Sequence, residues 1–594
     1  MTATNRLYVI GLTALSFAGC SHLTPLHRAT LDRALTEWAA HPTTSTVHVL
    51  IQTRVDAASS MRERLMRYGA TSVASASHPG LFTSDVTPGA LDAVATDSDV
   101  LHLSSDAMVR SLGSVLDQDV LLGTEGLLPR TYSGANVGVA VIDSGILPNA
   151  NEKVVVTYDF ISTAGNKVGA QDPYGHGTHV SGLIASSGKT SNDLYEGIAP
   201  GVRLIALRAL DQNGAGYTSS VINAIDFAIA QRAKLGIDIL NLSLGHPIYE
   251  PAATDPLVQA VQRAVDVGIV VVVSAGNYGG DPATHETGYA GITSPANAPN
   301  ALTVGALDTH QTVTRQDDEV AWYSSRGPTW YDAFQKPDIV APGSHLVSDV
   351  PTSSAIAKNY ARGLIKTSGT TNLTRLSGTS MAAGVVSGVV AMMIDGNRQN
   401  HPGGRLTPQA VKAILQYTAF PMTGVDVLTQ GAGSLNAAGA IALAAAIDTT
   451  QPLGSWWLMT PVDTSNTVGG ETLAWGQHLV WGDHLVWGDF IFRNDAAWGQ
   501  HLVWGDHLVW GDRVLWGSST VWGNGSAAVW GSHLVWGDAL IGETTASGTT
   551  WGSLSSNVTP DHLVWGDLKS LLVGSSALSW SNLEQANRDL LATH

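Results

Sequence analysis

Between residue 134 and about residue 443 the chain repeats one pattern: a short run of apolar, mostly β-branched residues, then a longer stretch whose apolar positions return every three or four residues. Runs without polar alternation need cover on both faces, and parallel strands need long crossovers, so the pattern predicts a buried parallel sheet wrapped by helices. The expected strands are 137–142, 204–207, 237–242, 267–273 and 301–304. Between two of them, Val221, Ile222, Ile225, Ala228 and Ile229 fall on one face of a helix. The fold expected is a doubly wound α/β domain. In such a sheet ligands bind outside the carboxyl ends of the strands, so chemistry is sought just after these runs.

The flanks are of different material. A chain of 594 residues exceeds one compact core, and four units are expected: 1–20, 21–112, 113–448 and 449–594. In the first, Arg6 precedes the apolar run 7–17, and the small residues Ala18 and Gly19 lead into Cys20. This is the layout of a secretory signal, and it predicts a secreted or cell-envelope protein. It also resembles a bacterial lipoprotein signal, in which Cys20 would be lipidated, giving a membrane lipid anchor. Plain secretion and lipid attachment both fit.

From about residue 46 to 111, strand-like 47–51, helix-like 59–68 and strand-like 100–103 predict a small α+β unit. The last unit is dominated by the hexapeptide Trp-Gly-Asp-His-Leu-Val, with Trp475, Trp481 and Trp487, then Trp504, Trp510, Trp516 and Trp522, recurring at intervals of six. Six is even, so in extended chain Trp, Asp and Leu share one face, and a β-rich repeat region is expected. Its indoles form the array's own core or serve surface attachment. His478, His484, His501 and His507 recur with the repeat, but no carboxylate cluster accompanies them at ligand spacing, and a strand-face position is the simpler account.

Bulk properties narrow the partners. Asp plus Glu total 49 against 31 Lys plus Arg, a net charge of -18, which excludes nucleic acid as a partner. The single cysteine, Cys20, excludes an intramolecular disulfide and a Cys-ligated zinc site.

Three segments carry the chemistry. Val139-Ala-Val-Ile-Asp143-Ser-Gly145 ends a predicted strand with a carboxylate. Tyr174-Gly-His176-Gly-Thr-His179 opens a helical stretch with a histidine between glycines. Ser377-Gly-Thr-Ser380-Met-Ala-Ala-Gly384 opens a long apolar helix. A serine needs a base to become nucleophilic, a histidine can take and return that proton, and an aspartate can hold the imidazole in the working tautomer. His179 is read as a structural partner and Asp172 as a helix cap.

The order Asp, His, Ser is that of the subtilisins. With Leu242-Ser-Leu-Gly245, Val273-Ser-Ala-Gly-Asn277, Ser324-Ser-Arg-Gly-Pro328 and Lys336-Pro-Asp-Ile-Val-Ala-Pro-Gly343, the chain resembles the subtilisin-like (subtilase) family over about 300 residues. The resemblance implies a serine endopeptidase with Asp143, His176 and Ser380 as catalytic triad and Asn277 in the oxyanion hole. It also implies that Ser243, Leu244 and Gly245 pair with the substrate backbone, while Ser274, Ala275 and Gly276 line the pocket for the side chain before the cut. Protein or peptide substrates in extended form follow from that mode.

The same resemblance makes the unit before the protease an inhibitory propeptide, acting as an intramolecular inhibitor and cut near residues 110 to 116. No cofactor is required. Members of the family often hold structural calcium, but no loop here is specific enough to place one. One departure is Gly384, where the family carries proline four residues past the nucleophile; it leaves the start of that helix freer. The alternative function is a surface adhesion or assembly protein whose protease serves only maturation.

Overall fold

The computed structural model describes residues 28–40, 45–111 and 131–475, apart from 149–152, 162–164, 192–194, 281–285, 313, 368–370, 453–454, 456 and 469. Cys20 with the whole signal region, most of the 110–116 stretch, and every repeat after Trp475 lie outside the described residues.

The main sheet runs in the order Glu319–Val320, Leu302–Asp308, Val270–Ser274, Ile239–Leu242, Gly138–Asp143, Arg203–Arg208, Val154–Asp159, Asn166–Val168, with Ile339–Pro342 also paired to Leu302–Asp308. Its central pairs are parallel. Gly138–Asp143 comes first of these strands in the chain yet lies in the middle: on one side the chain runs out to Val154–Asp159 and Asn166–Val168 and returns as Arg203–Arg208, and on the other it winds outward through Ile239–Leu242, Val270–Ser274 and Leu302–Asp308. That makes its carboxyl end the topological switch point, where crevices form. Asp143 stands there.

The pleat divides the strands between two cores. Val137, Val139 and Val141 pack with the helices His176–Ala185, Thr379–Asn400, Pro408–Thr418 and Ala437–Ala446. Ala140 and Ile142 face the opposite layer, where Thr218–Leu235 and Pro256–Asp266 lie. Val221, Ile222, Ile225 and Ala228 are fully buried on the expected face. Helix Thr379–Asn400 is long and apolar enough to cross a membrane by length and composition, but it is buried from Thr379 to Asn397 as the central helix of this core.

Two expected strands began too early. Val267 closes helix Pro256–Asp266, and Gly268, at φ +80°, turns the chain so that Ile269 N–H donates back to Ala264 O; the strand starts at Val270. Gly236 does the same for Ile237, and that strand starts at Ile239.

The N-terminal unit is a five-stranded sheet in the order Thr30–Leu31, Val100–Ser105, Val47–Thr53, Leu81–Val86, Thr71–Ser75, with helices Arg33–Ala40, Ala58–Arg67 and Pro88–Ala95. Leu35, Val49, Ile51, Met61, Leu65, Phe82, Leu91 and Leu103 fill its core. Leu50 and Leu81 point the other way and join the core beneath the helices Thr218–Leu235 and Pro256–Asp266. Polar contacts frame that interface. Ser77 Oγ donates to Asp226 at 2.8 Å, and Asp106 accepts from Ser219 N–H at 2.8 Å at the start of helix Thr218–Leu235. The buried His102 ring pairs with Glu250.

At its far end this unit contributes one strand to a second sheet, ordered Ala215–Tyr217, Met108–Ser111, Leu244–Pro247, Thr293–Ser294. At the other end of the chain the packing continues past the expected boundary at 448/449. Trp457, Val468 and Trp475 are buried in the catalytic core, with Trp475 edge-on to Tyr417 at a ring separation of 5.8 Å.

Candidate active site

Asp143 is the last residue of the central strand and His176 the first residue of its helix; both are buried. His176 Nδ1 lies 2.9 Å from each oxygen of Asp143. An Nδ1–H shared between both carboxylate oxygens fixes the tautomer that leaves Nε2 as the basic atom. The glycine before the histidine is required, since Gly175 sits at φ +106° and a Cβ there would come within 2.7 Å of Ser354 Oγ.

Ser380 stands in the first turn of helix Thr379–Asn400, where backbone N–H groups have no partner within the helix. Its Oγ donates to the carbonyl oxygen of Ser243 at 3.1 Å, and its own carbonyl accepts from Ser243 Oγ at 3.0 Å. His176 Nε2 is buried with no hydrogen-bond partner. So two of the three expected triad members are joined, while the third hydroxyl is engaged with Ser243.

Asn277 follows the strand Val270–Ser274 by one short turn, and its Oδ1 accepts from both the N–H and the Oγ1 of Thr379 at 3.0 Å. The residue expected in the oxyanion hole is thereby tied to the neighbour of Ser380. Gly276 N–H donates to the same Thr379 hydroxyl at 3.2 Å. Ala275 N–H donates to Val304 O at 2.9 Å, and Ala275 O accepts from Thr293 N–H at 3.1 Å, so Ser274, Ala275 and Gly276 form a rigid wall.

Leu244 and Gly245 begin a strand with a partner on each edge. Arg110 lies opposite Gly245 and Ser111 opposite Leu244 in antiparallel register; on the other side His246 faces Ser294. Ser111 N–H donates to Gly214 O at 3.0 Å. The chain 108–111 thus lies as a strand between Ala215–Tyr217 and Leu244–Pro247.

Sequence reasoning missed Thr379 and Asn241. Asn241 is buried within strand Ile239–Leu242; its Nδ2 donates to Ser243 Oγ at 2.9 Å, and its Oδ1 accepts from Ser387 Oγ at 2.9 Å. A single amide inside an otherwise apolar run was the available signal. His179 holds its expected structural role. Its Nε2 reaches the carbonyls of Leu346 and Thr374, each at 3.1 Å, and burial pushes its pKa down to about 3. Among the described residues no group of three or more His, Cys, Asp and Glu is arranged to hold a metal ion, and no step below uses one.

The chain matches the family model for the subtilase family over residues 134–441. It is similar to the serine protease AprX of Bacillus subtilis, at 35% identity over 363 residues, covering 60% of this chain and 77% of that one. It is 32% identical to subtilisin DY of Bacillus licheniformis over 275 residues, covering 46% of this chain and 82% of that protein. Among solved structures, fervidolysin of Fervidobacterium pennivorans, a keratinolytic enzyme related to subtilisin, shares the fold. The TM-score is 0.53 at 20% identity, over 74% of this chain and 64% of that one. A family match across the whole doubly wound domain, with named serine proteases among the relatives, establishes that this chain belongs to the subtilase family and is a subtilisin-like serine endopeptidase.

Proposed function

We propose that Asp143, His176 and Ser380 act as a catalytic triad in an exported endopeptidase, and that residues 21–112 are its intramolecular inhibitor until the chain cuts itself. The observation that carries this reading is the ladder of Arg110 on Gly245 and Ser111 on Leu244. It lays the chain across the strand that leads back to Ser243, whose carbonyl holds the Ser380 hydroxyl. The next bond in line follows Leu112, and that is the cut we assign.

In the reaction the Ser380 side chain turns about its Cα–Cβ bond from Ser243 O to His176 Nε2. His176 takes the hydroxyl proton as Oγ bonds to the substrate carbonyl carbon, and the imidazolium is balanced by Asp143. The oxygen that gains negative charge accepts from the Asn277 side chain and the Ser380 N–H. His176 then gives its proton to the departing amine, and water repeats the sequence on the acyl-enzyme. Segments 243–245 and 274–276 hold an extended protein or peptide substrate as the added strand. Residues 6–20 support export, with Cys20 as the atom that a lipid would modify.

Ser380→Ala tests the proposal. Expressed in a host lacking other proteases, the variant is expected to persist as a full-length chain while the parent loses its N-terminal unit after Leu112. Normal processing of the variant overturns the triad. Processing of the parent at a site remote from residues 110–116 overturns the assigned register.

A further inference from the structure

Asp172 is a buried carboxylate with no place in the reaction just described. It does not touch His176, yet all four of its hydrogen bonds go to groups flanking the two catalytic side chains. Its Oδ1 accepts from Gly175 N–H at 2.8 Å and from Ser144 Oγ at 2.8 Å. Its Oδ2 accepts from Thr178 N–H at 2.8 Å and from Thr178 Oγ1 at 2.6 Å. Ser144, the residue after Asp143, in turn accepts from Gly177 N–H at 3.0 Å. The N–H groups of Gly175, Gly177 and Thr178, around His176, are therefore bound to Asp172 or to Ser144.

The packing around this cluster leaves no slack. Gly145 is at φ +117°, and a Cβ there would lie 2.0 Å from Gln171 O. A Cβ on Gly177 would lie 2.1 Å from Gly145 O and 3.1 Å from the Asp143 side chain. The strand end that carries Asp143 and the helix start that carries His176 thus meet through Asp172 and Ser144. A cap alone would need only the helix N–H groups. The Ser144 bond adds a link from that cap to the strand, and a link is what sets one catalytic group relative to another.

We infer that Asp172 and Ser144 are positioning residues, a clamp that fixes the distance and angle between Asp143 and His176. The inference rests on the reading of Asp143, His176 and Ser380 as the triad. Misplacing a catalytic group by about 1 Å costs on the order of 10²-fold in rate, and the loss falls on turnover rather than on substrate binding, because neither residue touches the cleft strand Leu244–Pro247.

The test uses the full chain with its N-terminal unit removed, by added parent enzyme where a variant does not process itself, acting on a soluble fluorogenic peptide. Asp172→Asn and Ser144→Ala are expected to lower kcat by about 10- to 100-fold with KM held within about threefold. Ser144→Thr, which keeps the hydroxyl, is expected to return kcat to within about threefold of the parent. Should Asp172→Asn fail to fold, the two Ser144 variants decide the matter. A folded Ser144→Ala enzyme with unchanged kcat, or one that Ser144→Thr matches in its loss, overturns the clamp. Ser380→Ala is run beside them: hydrolysis surviving in that variant would instead condemn the triad.

Discussion

The Ser380 hydroxyl donates to the Ser243 carbonyl at 3.1 Å, while the Ser243 hydroxyl donates to the Ser380 carbonyl at 3.0 Å. This reciprocal pair joins helix Thr379–Asn400 to the end of strand Ile239–Leu242, and Asn241 extends the link to Ser387. Both bonds run to Ser243, so in the triad proposed above the hydroxyl must leave the Ser243 carbonyl before it reaches His176 Nε2.

Asn277→Ala is expected to lower kcat by about 10²- to 10³-fold, the cost measured when an oxyanion donor is removed from a subtilisin. KM for a short peptide should stay near the parent value, since the ground-state carbonyl makes weaker use of the donor. Steady-state kinetics on the processed enzyme checks this.

Asp338 lies buried between two ammonium groups, with Lys336 Nζ at 2.8 Å and Lys412 Nζ at 2.9 Å. Burial alone would raise its pKa, but the two lysines hold it below the ordinary carboxylate range. Asp338→Asn leaves both cations without a counter-charge and is expected to destabilise the catalytic domain by about 3–5 kcal/mol. Chemical denaturation read by tryptophan fluorescence measures it.

Gly384 sits where helix Thr379–Asn400 crosses helix His176–Ala185, and a methyl there would meet Val180 at 3.4 Å and Leu183 at 3.6 Å, ordinary contact distances. The freedom expected of this glycine is therefore a cost without a steric reason. Gly384→Ala is expected to add about 0.5–1 kcal/mol of stability and to leave kcat unchanged, as thermal unfolding and peptide hydrolysis would report.

His48 links the pH of the medium to the N-terminal unit. Asp106, whose Oδ2 lies 3.3 Å from His48 Nε2, is the largest influence; burial opposes it, Asp85 adds to it, and the pKa rises to about 9. The Tyr217 ring lies 5.5 Å away. A raised histidine stabilises the fold fully below its unfolded pKa, near 6.5, and loses that contribution as pH climbs through about 9. In the Ser380→Ala chain, which the proposed triad leaves uncut, the N-terminal unit should unfold at lower temperature at about pH 9.5 than at about pH 6, and His48→Gln should flatten the difference.

The buried parallel sheet was legible because unbroken β-branched runs have few other uses, and the three site segments stood at strand or helix ends as such a sheet demands. Where reading failed, local rules lost to longer-range ones. Val267 is apolar and adjoins a strand, yet Gly268 marks it as a helix end. Strand Thr30–Leu31 and helix Arg33–Ala40, inside the expected unit 21–112 but ahead of its first expected strand, are announced only by Asp32, which accepts from Leu35 N–H at 2.6 Å. Residues 449–474 carry no periodicity and Trp475 reads as the first indole of the repeat, so nothing in their pattern revealed that Trp457 and Trp475 belong to the protease core. The orientation of a hydroxyl, as at Ser380, depends on which acceptor folding brings nearest, and no spacing encodes it.

Trp475 is at once the first indole of the six-residue repeat and a side chain the protease needs for its own packing. A substitution at this one position therefore reaches the enzyme's own hydrophobic interior, through Tyr417, whatever it does to the sequence that follows.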